Sequence, residues 1–97
     1  VTRKYLKILK TRNVAILLPC FNEAAMITGV VRDFKAALPA ADVYCIDNNS
    51  TDNTAGVARR AGAIVLHERI KGKGTLFVVF LEIEADVYIM TDADGTY

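Results

Sequence analysis

The residues best suited to chemistry lie near the end of the sequence, in Thr91-Asp92-Ala93-Asp94-Gly95. Two carboxylates two residues apart can converge on one divalent cation. Hard oxygen ligands suit Mg²⁺ or Mn²⁺, which keep open positions for water and phosphate oxygens. Gly95 lets the backbone turn beside them. An Asp-x-Asp pair by itself is more often a solvated turn, so its meaning depends on what accompanies it. Three other stretches supply compatible groups: Pro19-Cys20-Phe21-Asn22-Glu23, the polar run from Asp47 to Thr54, and the loop holding Lys71-Gly72-Lys73-Gly74. A cation held by carboxylates can bind a diphosphate, and Lys71 and Lys73 can add point charges to it. Asp47 and Asn48 can read the edge of a base, and Phe21 offers a flat apolar surface. A nucleotide diphosphate satisfies this set of groups.

The elements between these stretches bring them together. Val14 to Leu18 is a continuous apolar run ended by Pro19, as in a strand buried on both faces. Asn22 is a candidate N-cap, and Ile27, Val30, Val31, Phe34 and Leu38 then fall on one helical face. Asp42 to Ile46 is a second strand. Ser50, Thr51 or Asp52 is placed to cap a helix with a small-residue face at Ala55, Ala58 and Ala61, which Gly62 ends in a left-handed conformation. Ala63 to Leu66 is a third strand, Leu76 to Glu84 a third helix, and Val87 to Met90 a fourth strand ending at the acidic pair. The predicted fold is therefore α/β: a Rossmann-like parallel sheet with helices on both faces, in the order β-α-β-α-β-α-β, with right-handed crossovers. All four chemistry-bearing loops follow strands. They share the rim where such sheets bind ligands.

Composition narrows the function. The chain has 97 residues, 53% of them apolar, and a net charge of +1. This suits one small domain and gives no argument for nucleic acid. His67 is the single histidine, and Cys20 and Cys45 lack metal-ligand spacing. They read as buried, reduced thiols of a cytosolic protein. No apolar run reaches the ~20 residues of a membrane helix. Residues 1–13 form a basic arm carrying Arg3, Lys4, Lys7, Lys10 and Arg12. As a helix this arm could rest on an anionic membrane surface, but its shortness favours a soluble, frayed segment. No Gly-x-Gly-x-x-Gly follows the first strand, and the Gly72-Lys73 loop is not a Walker A motif.

Four motifs, in order and at matching spacing, make the sequence resemble the family 2 glycosyltransferases of GT-A fold: the strand running into Pro-Cys-Phe-Asn-Glu, Asp47 to Thr54, Gly72-Lys73-Gly74, and Asp92-Ala93-Asp94. It is most similar to the branch containing polyprenyl-phosphate (dolichol-phosphate-mannose-like) sugar transferases. The resemblance implies inverting, Mg²⁺- or Mn²⁺-dependent transfer from a UDP- or GDP-sugar, hexosyltransferase in type. The acceptor would be a polyprenyl phosphate or another hydroxyl or phosphate group, and the site of action the cytoplasm or the inner face of the membrane. It also implies that residues 14–97 are a nucleotide-diphosphosugar-binding domain, the N-terminal half of a GT-A fold. Pro19, Phe21 and Glu23 match a segment lining base and ribose. Asp47, with Asn48 beside it, matches the base contact, Lys73 the loop approaching the nucleotide, and Asp92 and Asp94 the metal and diphosphate motif. Asn48 and Asn49 stand where the family often has Asp and Gly. The family's catalytic base would lie beyond residue 97.

Two other readings stay open at this level. A metal-dependent nucleotidyltransferase would want a glycine-rich, cationic loop after the first strand, which Pro19 to Glu23 does not supply. A non-catalytic nucleotide- or partner-binding fragment accounts for the uniformly apolar run from Leu76 to Leu81, a surface that self-association into a homo-oligomer could cover.

Overall fold

The computed structural model describes residues 13–69 and 82–93. Within these, β1 (Val14–Cys20), β2 (Asp42–Asp47), β3 (Ile64–His67) and β4 (Val87–Met90) form one sheet in the order β3-β2-β1-β4. Every pairing is parallel. β1 is central, and its side chains alternate between two apolar environments, as the two-residue period of a strand requires. Val14, Ile16, Leu18 and Cys20 face α1 (Ile27–Ala37) and α2 (Thr54–Ala61), meeting Ile27, Val30, Val31 and Ala58. Ala15 and Leu17 face the other way, against Ile46 and Ile83. A continuous apolar run is the signature of a strand covered on both sides.

β1-α1-β2 and β2-α2-β3 step in one direction, so both described helices lie on one face. The chain then returns past β1 to β4, and Ile83 and Ala85 of that return pack on the opposite face. The predicted third helix lies mostly outside the described residues, as do the basic arm to Arg12, Leu76 to Leu81 and the lysine-glycine loop.

Three local expectations are corrected. Pro19 does not end β1, which runs on to Cys20. The Leu17 and Pro19 backbones face β4: the Leu17 carbonyl accepts the Thr91 N–H at 3.2 Å, whereas Cys20 bonds towards β2. β4 pairing ends at Leu17–Met90, so the missing Pro19 N–H costs no ladder bond. Asn22 does not cap α1, which begins at Ile27 with Met26 at its N-cap. None of Ser50, Thr51 and Asp52 occupies the N-cap of α2 either; Asn53 does. The cap-type side chains have other partners, described below. At the end of α2, Gly62 has φ +103 and its N–H bonds to the Ala58 and Arg59 carbonyls, the left-handed stop expected there.

Cys20 and Cys45 are buried free thiols with their sulfurs 3.2 Å apart. The Cys45 thiol donates to Cys20 Sγ, and the Cys20 thiol donates to the Leu18 carbonyl at 3.1 Å. The bond to Cys45 and then burial push the Cys20 thiol far up from its ordinary range. Such a thiol stays protonated and unreactive.

Candidate functional site

The strand order reverses between β1 and β4, and the loops leaving the C-terminal ends of the strands gather around that point. From β1 come Pro19, half-buried, Phe21, 57% exposed, and Glu23, half-buried. A large apolar ring so exposed beside a polar rim is available to stack on a flat partner. From β2 comes Asp47, 7% exposed. Its Oδ1 accepts the Ser50 N–H at 3.3 Å, and its Oδ2 lies 3.5 Å from Nδ1 of His67, its register partner on β3. Asn48 anchors its loop through its N–H to the Cys20 carbonyl at 2.9 Å, and its Oδ1 accepts the Asn49 amide at 3.2 Å. After β4, Asp92 is exposed while Ala93, 2% exposed, packs with Ile16, Leu18 and Cys20. Ala93 thus pins the loop to the end of β1 and leaves Asp92 outward. Asp94, Lys71 and Lys73 lie outside the described residues. Glu82, Glu84 and Asp86 precede β4, and Asp86 accepts the Asn13 N–H at the end of the sheet opposite this rim.

The loops after β1 and β2 are joined by a set of hydrogen bonds that sequence reasoning did not find. Asn22 adopts φ +53. Its Oδ1 accepts the Thr51 N–H at 2.8 Å, the Thr51 hydroxyl at 3.3 Å and the Asp52 N–H at 3.3 Å. Its own N–H donates to Ser50 Oγ at 2.9 Å. The Glu23 N–H donates to Thr54 Oγ1 at 2.9 Å, and the Ala24 N–H to Asp52 Oδ2 at 3.2 Å. Asp52 Oδ1 also accepts the N–H and hydroxyl of Thr54. The cap-type residues therefore satisfy the neighbouring loop as well as their own helix end. Asn is among the few non-glycine residues that tolerate a left-handed backbone. That tolerance, with an acidic and hydroxyl run after β2, was the available signal.

His67, the last residue of β3, lines a pocket of about 390 Å³ with Asp47, Asn49, Ser50, Glu68 and Arg69. Asn49, at φ +60, closes one side by donating its amide to the Glu68 and Arg69 carbonyls at 3.4 and 3.1 Å. Asp47 on β2 and Asp92 after β4 leave strands that flank β1, whose axes are two inter-strand spacings, about 10 Å, apart. The described rim is mainly anionic: Glu23, Asp47, Asp52, Glu68 and Asp92 stand against Arg69. A diphosphate needs a cation to settle on it. Among the described residues no three His, Cys, Asp or Glu side chains gather to enclose a metal ion. The set fits the Mg²⁺ mode instead, in which one or two carboxylates share the ion with ligand phosphates. No helix among the described residues is long and apolar enough to cross a membrane.

Comparison with known proteins gives a consistent result. The profile of glycosyl transferase family 2 matches residues 15–97. Protein RfbJ of Shigella flexneri is 48% identical over 86 residues, covering 88% of this chain and 67% of RfbJ. A dolichyl-phosphate hexose transferase of Haloferax volcanii is 31% identical over 87 residues, covering 88% of this chain and 38% of the relative. Among solved structures, glucosyl-3-phosphoglycerate synthase from Mycobacterium tuberculosis, in complex with Mn²⁺, UDP and glucosyl-3-phosphoglycerate, superposes with a TM-score of 0.79 at 23% identity. That likeness, one of fold, covers 96% of this chain and 38% of the synthase.

Proposed function

Because the chain belongs to glycosyl transferase family 2, we propose that its rim is the donor site of a metal-dependent hexosyltransferase that takes a sugar from a UDP- or GDP-sugar with inversion. The observation that carries this reading is the placement of Asp47 and Asp92 on one rim, after strands that flank β1 on either side of the reversal of strand order. That placement suits a ligand with a base at one end and a diphosphate at the other. Pro19 and Phe21 offer the base an apolar surface, Glu23 stands beside the ribose, and Asp47 and Asn48 meet the base edge. Asp92 and Asp94 hold the divalent cation, Mg²⁺ or Mn²⁺, with Lys73 adding positive charge. When bound, the cation offsets the negative charge that builds up on the departing diphosphate. The Mn²⁺ and UDP named with the synthase structure and the dolichyl-phosphate substrate named for the Haloferax relative support this donor chemistry and a polyprenyl phosphate as acceptor. Action at the cytoplasmic membrane surface is part of the same proposal.

Calorimetric titration of UDP and GDP, with Mn²⁺ and with EDTA, into the wild type and Asp94→Ala tests the reading. Binding of one nucleotide should require Mn²⁺ and should be weakened at least tenfold, about 1.4 kcal/mol, in the variant. A folded chain that binds neither nucleotide refutes it.

A further inference from the structure

We propose that Asn49 is a positioning residue for donor binding: its side-chain amide ties together the two walls of the pocket beside Asp47 and so sets the width open to the base. This rests on the donor-site reading above.

The pocket has Asp47, Asn49 and Ser50 on the β2 side and His67, Glu68 and Arg69 on the β3 side. The β2–β3 register ends at Asp47 and His67, closed by the bond from the Glu68 N–H to the Asp47 carbonyl at 2.9 Å. Past that point the Asn49 amide continues the join, donating to the Arg69 carbonyl at 3.1 Å and the Glu68 carbonyl at 3.4 Å. Asn48 Oδ1 lies 3.2 Å from the same nitrogen. Three oxygens thus surround one NH₂ group, which has two hydrogens to share among them. A carboxylate in that place would face oxygens only. The backbone carries a second sign. Asn49 has φ +60, and it and Asn22 are the non-glycine residues with positive φ among the described residues. Both stand on this rim. Glycine takes such a conformation without strain, and asparagine takes it where its short side chain finds a bond nearby. A glycine at this position would keep the turn and lose the amide. Backbone strain of this kind gathers at ligand-binding sites. Asn49 is exposed, so core packing does not account for it.

The experiment measures Kd on the full chain for wild type, Asn49→Gly and Asn49→Asp, with folding checked by melting. The probes are UDP and GDP with Mn²⁺, and uridine and guanosine with EDTA. Both substitutions tolerate the left-handed backbone, and both remove the donor. For the base that wild type binds, nucleoside and nucleotide should each bind Asn49→Gly about fivefold more weakly, the order of one lost hydrogen bond. Asn49→Asp should weaken both further. A merely structural amide would lower the melting temperature and leave the Kd of the folded chain alone. A folded Asn49→Gly or Asn49→Asp within about twofold of wild type therefore overturns the inference. A loss confined to the nucleotide also overturns it, because the pocket meets the base end. Unfolding of both variants would assign the amide to the fold and overturn it too. All three results leave the donor site standing. A folded wild type that binds no nucleotide removes the donor-site reading and the Asn49 role together.

Discussion

Asp52 shows how much a single exposed side chain can link. Its carboxylate serves the Thr54 N–H and hydroxyl on one oxygen and the Ala24 N–H on the other. The Thr54 hydroxyl, foremost, with the Ala24 and Thr54 amides adding, holds its pKa below the ordinary 3.8. A carboxylate with a depressed folded pKa adds stability above its unfolded value and loses it as pH falls through the lower folded value. Melting temperature should therefore fall more steeply in wild type than in Asp52→Asn between about pH 5 and pH 2. Parallel curves would show that Asp52 carries no such linkage. The sequence had marked Asp52 as a cap for the following helix. It does serve that helix's first N–H, but its reach to Ala24 depends on two strands being neighbours.

At the level of elements, Asn22 ties the loops after β1 and β2 together through hydrogen bonds. A strand end fixes only where a loop starts; cross-loop bonds fix where its residues finish. Phe21 and Glu23 on one side and Asp47 and Ser50 on the other are held in common register by the Asn22 amide oxygen and N–H. Asn22→Ala removes the three bonds to Oδ1 and also forces an ordinary residue into φ +53. It should cost about 2 kcal/mol in denaturant unfolding. Asn22→Gly loses the same bonds but accepts the backbone, so it should cost about 1 kcal/mol less. Equal losses would mean that the left-handed backbone contributes nothing. The Cys20–Cys45 contact belongs to this scale too. It brings together residues that are not register partners, since Cys45 pairs with Leu18 and Cys20 with Asp47, and its interior position keeps the thiols out of the chemistry.

For the molecule as a whole, the proposed site works through distance across the sheet. Under this reading a nucleotide touches β2 with its base and the β4 loop with its diphosphate, while a nucleoside reaches only the first. Uridine should therefore bind equally with Mn²⁺ or EDTA and should respond to Asp47→Ala but not to Asp92→Ala. UDP should respond to all three. A thermal-shift series can check this, because ligand at about 100 times its Kd raises stability by about 2.7 kcal/mol. Metal-dependent uridine binding would place the base near the cation and contradict the spanning arrangement. The chain covers 67% of RfbJ and 38% of the Haloferax transferase.

The sequence by itself determined the alternation of strands and helices, the double-sided burial of β1, the glycine stop at Gly62, and the fact that the chemistry-bearing loops all follow strands. These depend on local pattern: apolar runs, helical period and turn residues act within a few positions of the chain. Only the tertiary structure decided which loops touch. That Asn22 bonds Thr51, that His67 stands beside Asp47, and that Pro19 continues its strand all follow from the order β3-β2-β1-β4 and its register. A cap-forming side chain has several partners of similar worth, and the choice among them is made by whichever backbone the packed sheet brings within hydrogen-bond distance.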